Sequence, residues 1–380
     1  MSGLKIILVN DNVHGGGVEN MLQNLTAYFV KKGYSVSVLA SPQKRKEFHE
    51  YLDPNVICIR HSWPRKKFQR FGISFVVNRV NCKLYHFYIK LRLSLTRYDI
   101  ALAIKEGPIM KKALSVKAGR KFAWVHCDYA YMHQAYLTWV RGCFASDQDE
   151  LECMKQYEKV VCVSETAKES VIRAIGDPGN LCVKYDPINW EKIVSASQEP
   201  CPFYRDPSRP LIVSVGRLDT VKNYLTLLKA CEKLQKTTCF DLWIVGEGNE
   251  RSNLEEYISA HALSFVKLLG VQKNPYSILR QATLFVSSSV SESYGLSVQE
   301  ALILGIPVVA VNCPGIAEWF DPRFGLLVNN SAEELADAMG KMLNDSSMLS
   351  ACQKAIAQHD SRHGVYEDRM EKICQLWETP

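Results

Sequence analysis

The chain has 380 residues, 47% hydrophobic and 23% charged, which excludes collagen, an extended coiled coil and a mainly disordered protein. That length suits two or three domains with full-sized cores. Net charge is only +6, but the segment from Pro54 to Tyr98 holds ten Lys or Arg and no Asp or Glu, leaving −4 for the rest; such a block marks one anionic partner surface.

The start MSGLKIILVN enters a strand-like run without the apolar stretch of a signal peptide. No run of 18 apolar residues follows, so no membrane-spanning helix is expected. The 13 cysteines are scattered, with no CxxC pair. Cys162 and others sit in apolar runs, as free thiols do in a reducing compartment, and a cytoplasmic protein is expected.

Strand and helix patterns then alternate. Strands are predicted at 5–10, 34–40, 100–105, 122–126, 160–164 and 182–185. A turn at Gly15–Gly17 leads into a helix over 18–31, with Gly33 placed to end it. The stretch SASQEPCPFYRDPSRP, 195–210, holds four Pro and reads as a linker. Alternation restarts with strands at 211–215, 242–245, 266–269, 284–287 and 308–311. Helices are predicted near 224–236, 249–260, 275–281, 296–304 and 332–343. The expected organisation is an α/β domain over 1–194, a linker over 195–209 and a second α/β domain over 210–360. A C-terminal helix over 361–380 is expected to pack back on the first domain. Buried parallel strands covered on both faces make each domain Rossmann-like. Two such domains facing across a cleft bind ligand at the carboxyl ends of their strands.

Three features of the second half point to phosphate. In VSVGRLDTVKN, Arg217 and Lys222 follow a strand directly; they fit a diphosphate grip or two surface cations. In SSSVSESYGLSVQEALILGIP, a strand runs through a polar loop and Gly295 into a helix start, an anion-binding arrangement. Glu292 and Glu300 flank that start, and each suits a sugar hydroxyl. In WIVGEGNE, Gly246 and Gly248 make a sharp turn that fits a purely architectural role. There is no GxGxxG and no P-loop, which disfavours a dehydrogenase or a Walker-type NTPase.

Together, Gly216-Arg217, Lys222, Glu292-Ser293-Tyr294-Gly295-Leu296, Glu300 and the following EALILGIPVVAVNCPGIAEWF resemble the signature of retaining family-4 glycosyltransferases of the GT-B fold. The resemblance is strong over 210–345 and weaker in NDNVHGGGVEN, WVHCDY and VSETAKE. It implies that Arg217 and Lys222 hold the donor diphosphate, Glu292 the donor sugar and Glu300 the ribose. Amides around Tyr294, Gly295 and Leu296 cap the phosphates, and backbone near Val271 meets the base. Gly16 and Gly17 approach the phosphates or sugar, and His126 sits beside the reacting sugar. No metal or other cofactor is implied. Two departures stand out: YDPIN at 185–189, where relatives often have Asn before the Pro and Asp at the end, read as a harmless inter-domain change, and Asn223 in place of Gly.

The implied partners are a nucleoside-diphosphate sugar, with UDP the commoner base, and a glycan or lipid-linked acceptor in polysaccharide or glycolipid assembly. Rival readings are a sugar-nucleotide epimerase of the same fold and a two-domain binding protein without catalysis. His126 also fits a plain packing role. His126 with Asp128 makes only two ligands of a metal site. His359 and His363, four apart, share a helix face and read as surface residues. On a helical wheel Arg79, Lys83, His86, Lys90 and Arg97 form one stripe, opposite Val77, Val80, Leu84, Tyr88, Leu91 and Leu95. Trp63, Phe68 and Phe71 interleave with Arg65, Lys66, Lys67 and Arg70 just upstream. Basic residues 60–97 therefore suit an anionic membrane surface on the inner face of the cell membrane, or simply a solvated helix face. No nucleic-acid module accompanies them.

Overall fold

The computed structural model describes residues 3–13, 16–41, 46–60, 89, 91, 93, 95–135, 144–359 and 365–378. The chain divides into two units, one of 1–188 with 367–380 and the other of 189–366.

The first unit is built on β1 (Lys5–Val9), β2 (Ser35–Ala40), β3 (Ile57–Arg60), β4 (Tyr98–Ala103), β5 (Ala118–Val125), β6 (Lys159–Cys162) and β7 (Leu181–Val183). Their order is β3-β2-β1-β4-β5-β6-β7, with every pairing parallel. Ile6, Ile7, Leu8 and Val9 are all fully buried, as expected of a central strand covered on both faces. The helix Gly17–Lys31 lays Met21, Leu22, Leu25 and Phe29 on the sheet, a three-and-four spacing that makes one apolar stripe. Gly33 follows its last turn at φ +84°, the left-handed position that ends many helices.

The C-terminal helix Val365–Glu378 belongs to this unit. Trp377 meets Phe29 and Phe122 edge-on, at 5.6 Å each, contacts worth about 0.5–1.5 kcal/mol apiece beyond their burial. Tyr28 donates to Glu371 at 2.5 Å, and the Arg120 guanidinium donates to the carbonyls of Leu376 and Trp377.

The second unit contains β8 (Leu211–Val215), β9 (Asp241–Val245), β10 (Val266–Leu268), β11 (Leu284–Ser287), β12 (Val308–Val311) and β13 (Gly325–Val328), in the order β10-β9-β8-β11-β12-β13 and again parallel. Strand alternation splits its core into two layers. Ile212, Leu242, Ile244 and Val286 pack with helices Tyr224–Leu234 and Ala332–Asn344. Leu211, Val213, Trp243 and Phe285 pack with helix Leu296–Ile303.

Several expectations shift. The division falls between Ile188 and Asn189, ahead of the 195–209 stretch read as a linker. Asn189 caps the helix Trp190–Ser197 by accepting from the Lys192 amide at 2.9 Å. Cys201 and Phe203 then pack on the second core, so the Pro-rich stretch is part of that domain's wall. The edge strands β3 and β13 are absent from the pattern reading. His359 ends the helix Ser346–Gln358 with extended backbone, so it does not share a helix face with His363, which lies outside the described residues. Most of the basic stripe and the aromatics of 61–88 also lie outside them. At its described end the wheel is wrong: Ile89 and Leu93 are buried, Leu91 and Leu95 are exposed, and Arg97 follows the last helical residue.

Candidate active site

In each sheet the strand order reverses beside the first strand, between β1 and β4 and between β8 and β11. Loops leaving such a switch point diverge to opposite faces and open a ligand crevice at the carboxyl ends of the strands.

At the β8/β11 switch point, two loops supply the charged side chains. Gly216 and Arg217 leave β8, and Ser288 to Gly295 leave β11. The loops are stitched together: the Val290 amide donates to the Val221 carbonyl at 2.9 Å, and the Ser288 hydroxyl donates to the Lys222 carbonyl at 2.7 Å. This brings the Lys222 ammonium 2.6 Å from a Glu292 carboxylate oxygen, with both side chains mostly buried. The family resemblance implies separate partners for these two residues; in the structure they form an ion pair. Arg217 stands apart, 70% exposed and 3.2 Å from Asp219, with its guanidinium open to an incoming anion.

Asn223 adopts the left-handed conformation at φ +50° and opens the helix Tyr224–Leu234, a tolerated place for Asn, so its departure from the commoner Gly fits the backbone. Gly295 takes the same conformation, φ +65°, at the N-cap of Leu296–Ile303, and no side chain caps that end. Its first-turn amides and positive dipole end therefore face the Glu292 loop unshielded by a cap. Tyr294 is buried, and its carbonyl accepts from the Trp319 indole at 2.9 Å and from the Gln299 amide at 3.1 Å, which fixes the turn.

Glu300, four residues into this helix, accepts from the Tyr276 hydroxyl at 3.0 Å. Burial lifts its carboxyl to about 7, against the opposing effect of that hydrogen bond. Tyr276 gave no signal in the sequence, because it reaches Glu300 from a separate four-residue helix, Tyr276–Leu279. Val271 follows the close Gly246–Gly270 bridge and is 73% exposed, leaving the adjacent backbone accessible. Gly246 has the architectural role its turn suggests. A Cβ there would lie 1.8 Å from the Gly216 carbonyl oxygen, so only glycine lets the end of β9 pack against the turn that carries Arg217.

In the first domain, Gly16 caps the helix Gly17–Lys31 with extended backbone, and Gly17 is its first residue; His14 and Gly15 lie outside the described residues. His126 leaves the end of β5. Its amide donates to Glu106 at 3.0 Å, and its Nδ1 lies 3.4 Å from Asp186 Oδ2 with both side chains buried. Burial works against the charged imidazole, but the Asp186, Glu106 and Glu19 carboxylates outweigh it, and the net shift is upward. Lys105 pairs with Asp11 at 3.1 Å nearby. Burial holds the Cys127 thiol well above the usual range, which keeps it neutral and unsuited to nucleophilic attack. Reading the sequence missed Glu19, Lys105, Glu106 and Asp186. The Lys105-Glu106 pair directly after a switch-point strand was the available signal. The substitution within YDPIN is no neutral linker change, since Asp186 touches His126. Among the described residues no three His, Cys, Asp or Glu side chains gather as a metal site, so His126 and Asp128 gain no third ligand.

Fold and site thus define a two-domain α/β protein whose second domain carries Arg217, a Lys222–Glu292 pair and an uncapped helix start at its switch point. Comparison with known proteins gives the family. Residues 203–359 match the model of glycosyl transferases group 1, and residues 15–192 match that of glycosyltransferase family 4. The chain belongs to these glycosyltransferases. Over 143 residues it is 32% identical to the lipopolysaccharide core biosynthesis glycosyltransferase LpsE of Rhizobium meliloti, covering 37% of this chain and 41% of that one. Over 144 residues it is 34% identical to the Campylobacter jejuni N-acetylgalactosamine-N,N'-diacetylbacillosaminyl-diphospho-undecaprenol 4-alpha-N-acetylgalactosaminyltransferase, covering 37% and 39%. The matches span well under half the length of these two relatives. Among solved structures, S. aureus TarM in complex with fondaparinux, alpha-GlcNAc-glycerol and UDP superposes with a TM-score of 0.75 at 14% identity, over 98% of this chain and 99% of that one. The fold is that of the GT-B glycosyltransferases.

Proposed function

We propose that the protein transfers a hexosyl or N-acetylhexosaminyl unit from a nucleoside-diphosphate sugar, with UDP as the carrier, to a hydroxyl of a glycan or lipid-linked acceptor, with retention of anomeric configuration. The observation that carries this reading is the second-domain switch point, whose two loops hold Arg217, Lys222 and the uncapped helix start at Gly295. Anionic leaving groups are stabilised by such preorganised cations and amides, usually the largest catalytic contribution. UDP in the TarM complex supports the choice of base. The names of the two relatives support an acceptor in lipopolysaccharide or polyprenyl-linked glycan assembly.

On this reading Arg217 and Lys222 take the diphosphate, and Glu292 gives up part of its contact with Lys222 to meet sugar hydroxyls. Glu300 accepts from the ribose, backbone near Val271 meets the base, and the amides after Tyr294 and Gly295 cap the phosphates. Gly16 and Gly17 approach the donor, and His126 acts at the reacting sugar. The leaving phosphate takes the acceptor proton as the acceptor attacks from the same face, with no covalent enzyme intermediate. These groups neutralise the leaving diphosphate without a metal. The test is to supply labelled donor with and without a polyprenyl-linked glycan, and to read the product anomer by NMR. Retention in an acceptor-dependent product supports the reading. Interconversion of the donor sugar without acceptor would instead identify an epimerase, and an unaltered donor a binding protein.

The acceptor is proposed to lie on an anionic membrane surface, reached by basic residues 60–97 on the inner face of the membrane. The ten-cation block and the exposed Leu91 and Leu95 support this. Among the described residues no helix is long and apolar enough to cross a membrane. Sedimentation with neutral and anionic vesicles tests it: binding should need anionic lipid, weaken with salt and fall when Arg65, Lys66, Lys67 and Arg70 are neutralised. Equal recovery in the supernatant with both vesicles would point to a soluble acceptor.

A further inference from the structure

The segment Tyr185–Pro187 is held unusually firmly for a stretch without regular structure. From the C-terminal helix, Arg369 donates to the Asp186 carbonyl at 2.7 Å and places its guanidinium over the Tyr185 ring, 5.7 Å from the centroid. From the helix Gly17–Lys31, the Asn24 side chain donates to the Pro187 carbonyl at 3.4 Å. With its backbone fixed from both sides, Asp186 turns a buried carboxylate toward His126, where Oδ2 comes 3.4 Å from Nδ1.

A buried carboxylate gains little unless a partner compensates its lost hydration. The ring is that partner. Oriented with Nδ1–H toward Asp186, it presents Nε2 on the side away from that carboxylate, since the two nitrogens lie on opposite edges of an imidazole. The remaining charged groups around the ring are Glu106, which accepts from the His126 amide, and Glu19, with Lys105 paired to Asp11 beyond. The neighbouring Cys127 stays a neutral thiol. The surroundings are acidic and favour the imidazolium.

We propose that Asp186 is a positioning residue for His126, fixing the orientation of the ring by accepting from Nδ1–H, and that Arg369 on the C-terminal helix sets Asp186 in place. This rests on the reading that His126 acts at the reacting sugar. The C-terminal helix then does more than close the first domain, because it sets the geometry of a site residue through one backbone bond.

The test follows the His126 ring by NMR in histidine-labelled protein, alongside steady-state kinetics across pH, for D186N, R369Q and H126N. D186N keeps the shape and removes the charge. It should lower the pH at which His126 titrates by about one unit or more. It should also cut kcat about tenfold or more while leaving the donor KM within about twofold. Loss of activity on the alkaline side should move to lower pH, since the imidazolium would persist over a narrower range. R369Q should shift the His126 signals in the same direction by less. H126N tests the underlying reading. If H126N is crippled while D186N leaves both titration and kcat unchanged, the positioning role is overturned and the role of His126 stands. If H126N turns over normally, the reading and the proposal fall together. A circular-dichroism melt close to wild type shows that each variant is folded.

Discussion

At the switch point of the second sheet, the loops after β8 and β11 are tied by a backbone bond, a serine hydroxyl and the Lys222–Glu292 pair. At the corresponding point of the first sheet, the loops after β1 and β4 carry the Lys105–Asp11 pair at the surface, above the buried Glu106. Equal strand orders thus support unlike chemistry. One point gathers cations and helix amides suited to an anion, and the other gathers carboxylates around a histidine. The fold supplies a crevice twice, and the side chains at the loop ends decide what each can hold.

This difference can be broken most forcefully at the cations. K222A or R217A should lower turnover by roughly 10²–10³-fold, about 3–4 kcal/mol of barrier, with the fold intact by circular dichroism. Near-normal kcat in both folded variants would remove the second switch point from the reaction. Next in size is the backbone that carries Arg217. G246A places a Cβ against the Gly216 carbonyl at a φ of +146° that side chains rarely adopt. It should cost about 3 kcal/mol of stability, read as a fall in the denaturant midpoint.

Glu300 gives a smaller, pH-dependent effect. Its folded carboxyl titrates near 7, above the usual 4.5, so the native state holds its proton more tightly than the unfolded chain. Its contribution to stability is therefore greatest below about pH 4.5 and declines as pH rises toward 7. If Glu300 accepts from the ribose as proposed, the ionised carboxylate is the stronger acceptor. UDP affinity should consequently rise about tenfold between pH 6 and 8, about 1.4 kcal/mol, and E300Q should flatten that rise in calorimetry. E292Q, by contrast, should impair transfer more than UDP binding if the sugar is its partner as proposed; the reverse ordering would mean that the two roles are exchanged. The mildest test lies in the first domain. Y28F removes the bond to Glu371 and should cost about 1 kcal/mol. UDP affinity should stay unchanged, since the Tyr28–Glu371 bond is no part of the second-domain switch point.

The contrast also explains what could be read from the sequence. Arg217, Lys222, Glu292, Gly295 and Glu300 fall in two short strand-loop-helix stretches, so composition and order expose them together. The group around His126 draws on Glu19, Glu106 and Asp186, from segments up to 167 residues apart. No local pattern links them, and only the parallel sheet brings the strand ends together. Tyr276 was hidden for the same reason, as was the Lys222–Glu292 pair, which depends on the Val290–Val221 bond across 69 positions. Most buried strands were legible because continuous apolar runs mark them. Edge strands β3 and β13, each mostly half-buried or exposed, were not. The exposed Leu91 and Leu95 reversed the wheel because a period says which residues share a face and not which face is covered.

The central claim is that the second switch point grips a nucleoside diphosphate through Arg217 and Lys222. Thermal unfolding of the wild-type protein, K222A and R217A with and without UDP tests it most directly. At about 100 times its dissociation constant, UDP should stabilise the wild type by about 2.7 kcal/mol, and at the same concentration most of that shift should vanish in each variant. An equal UDP-induced shift in all three proteins would contradict the account.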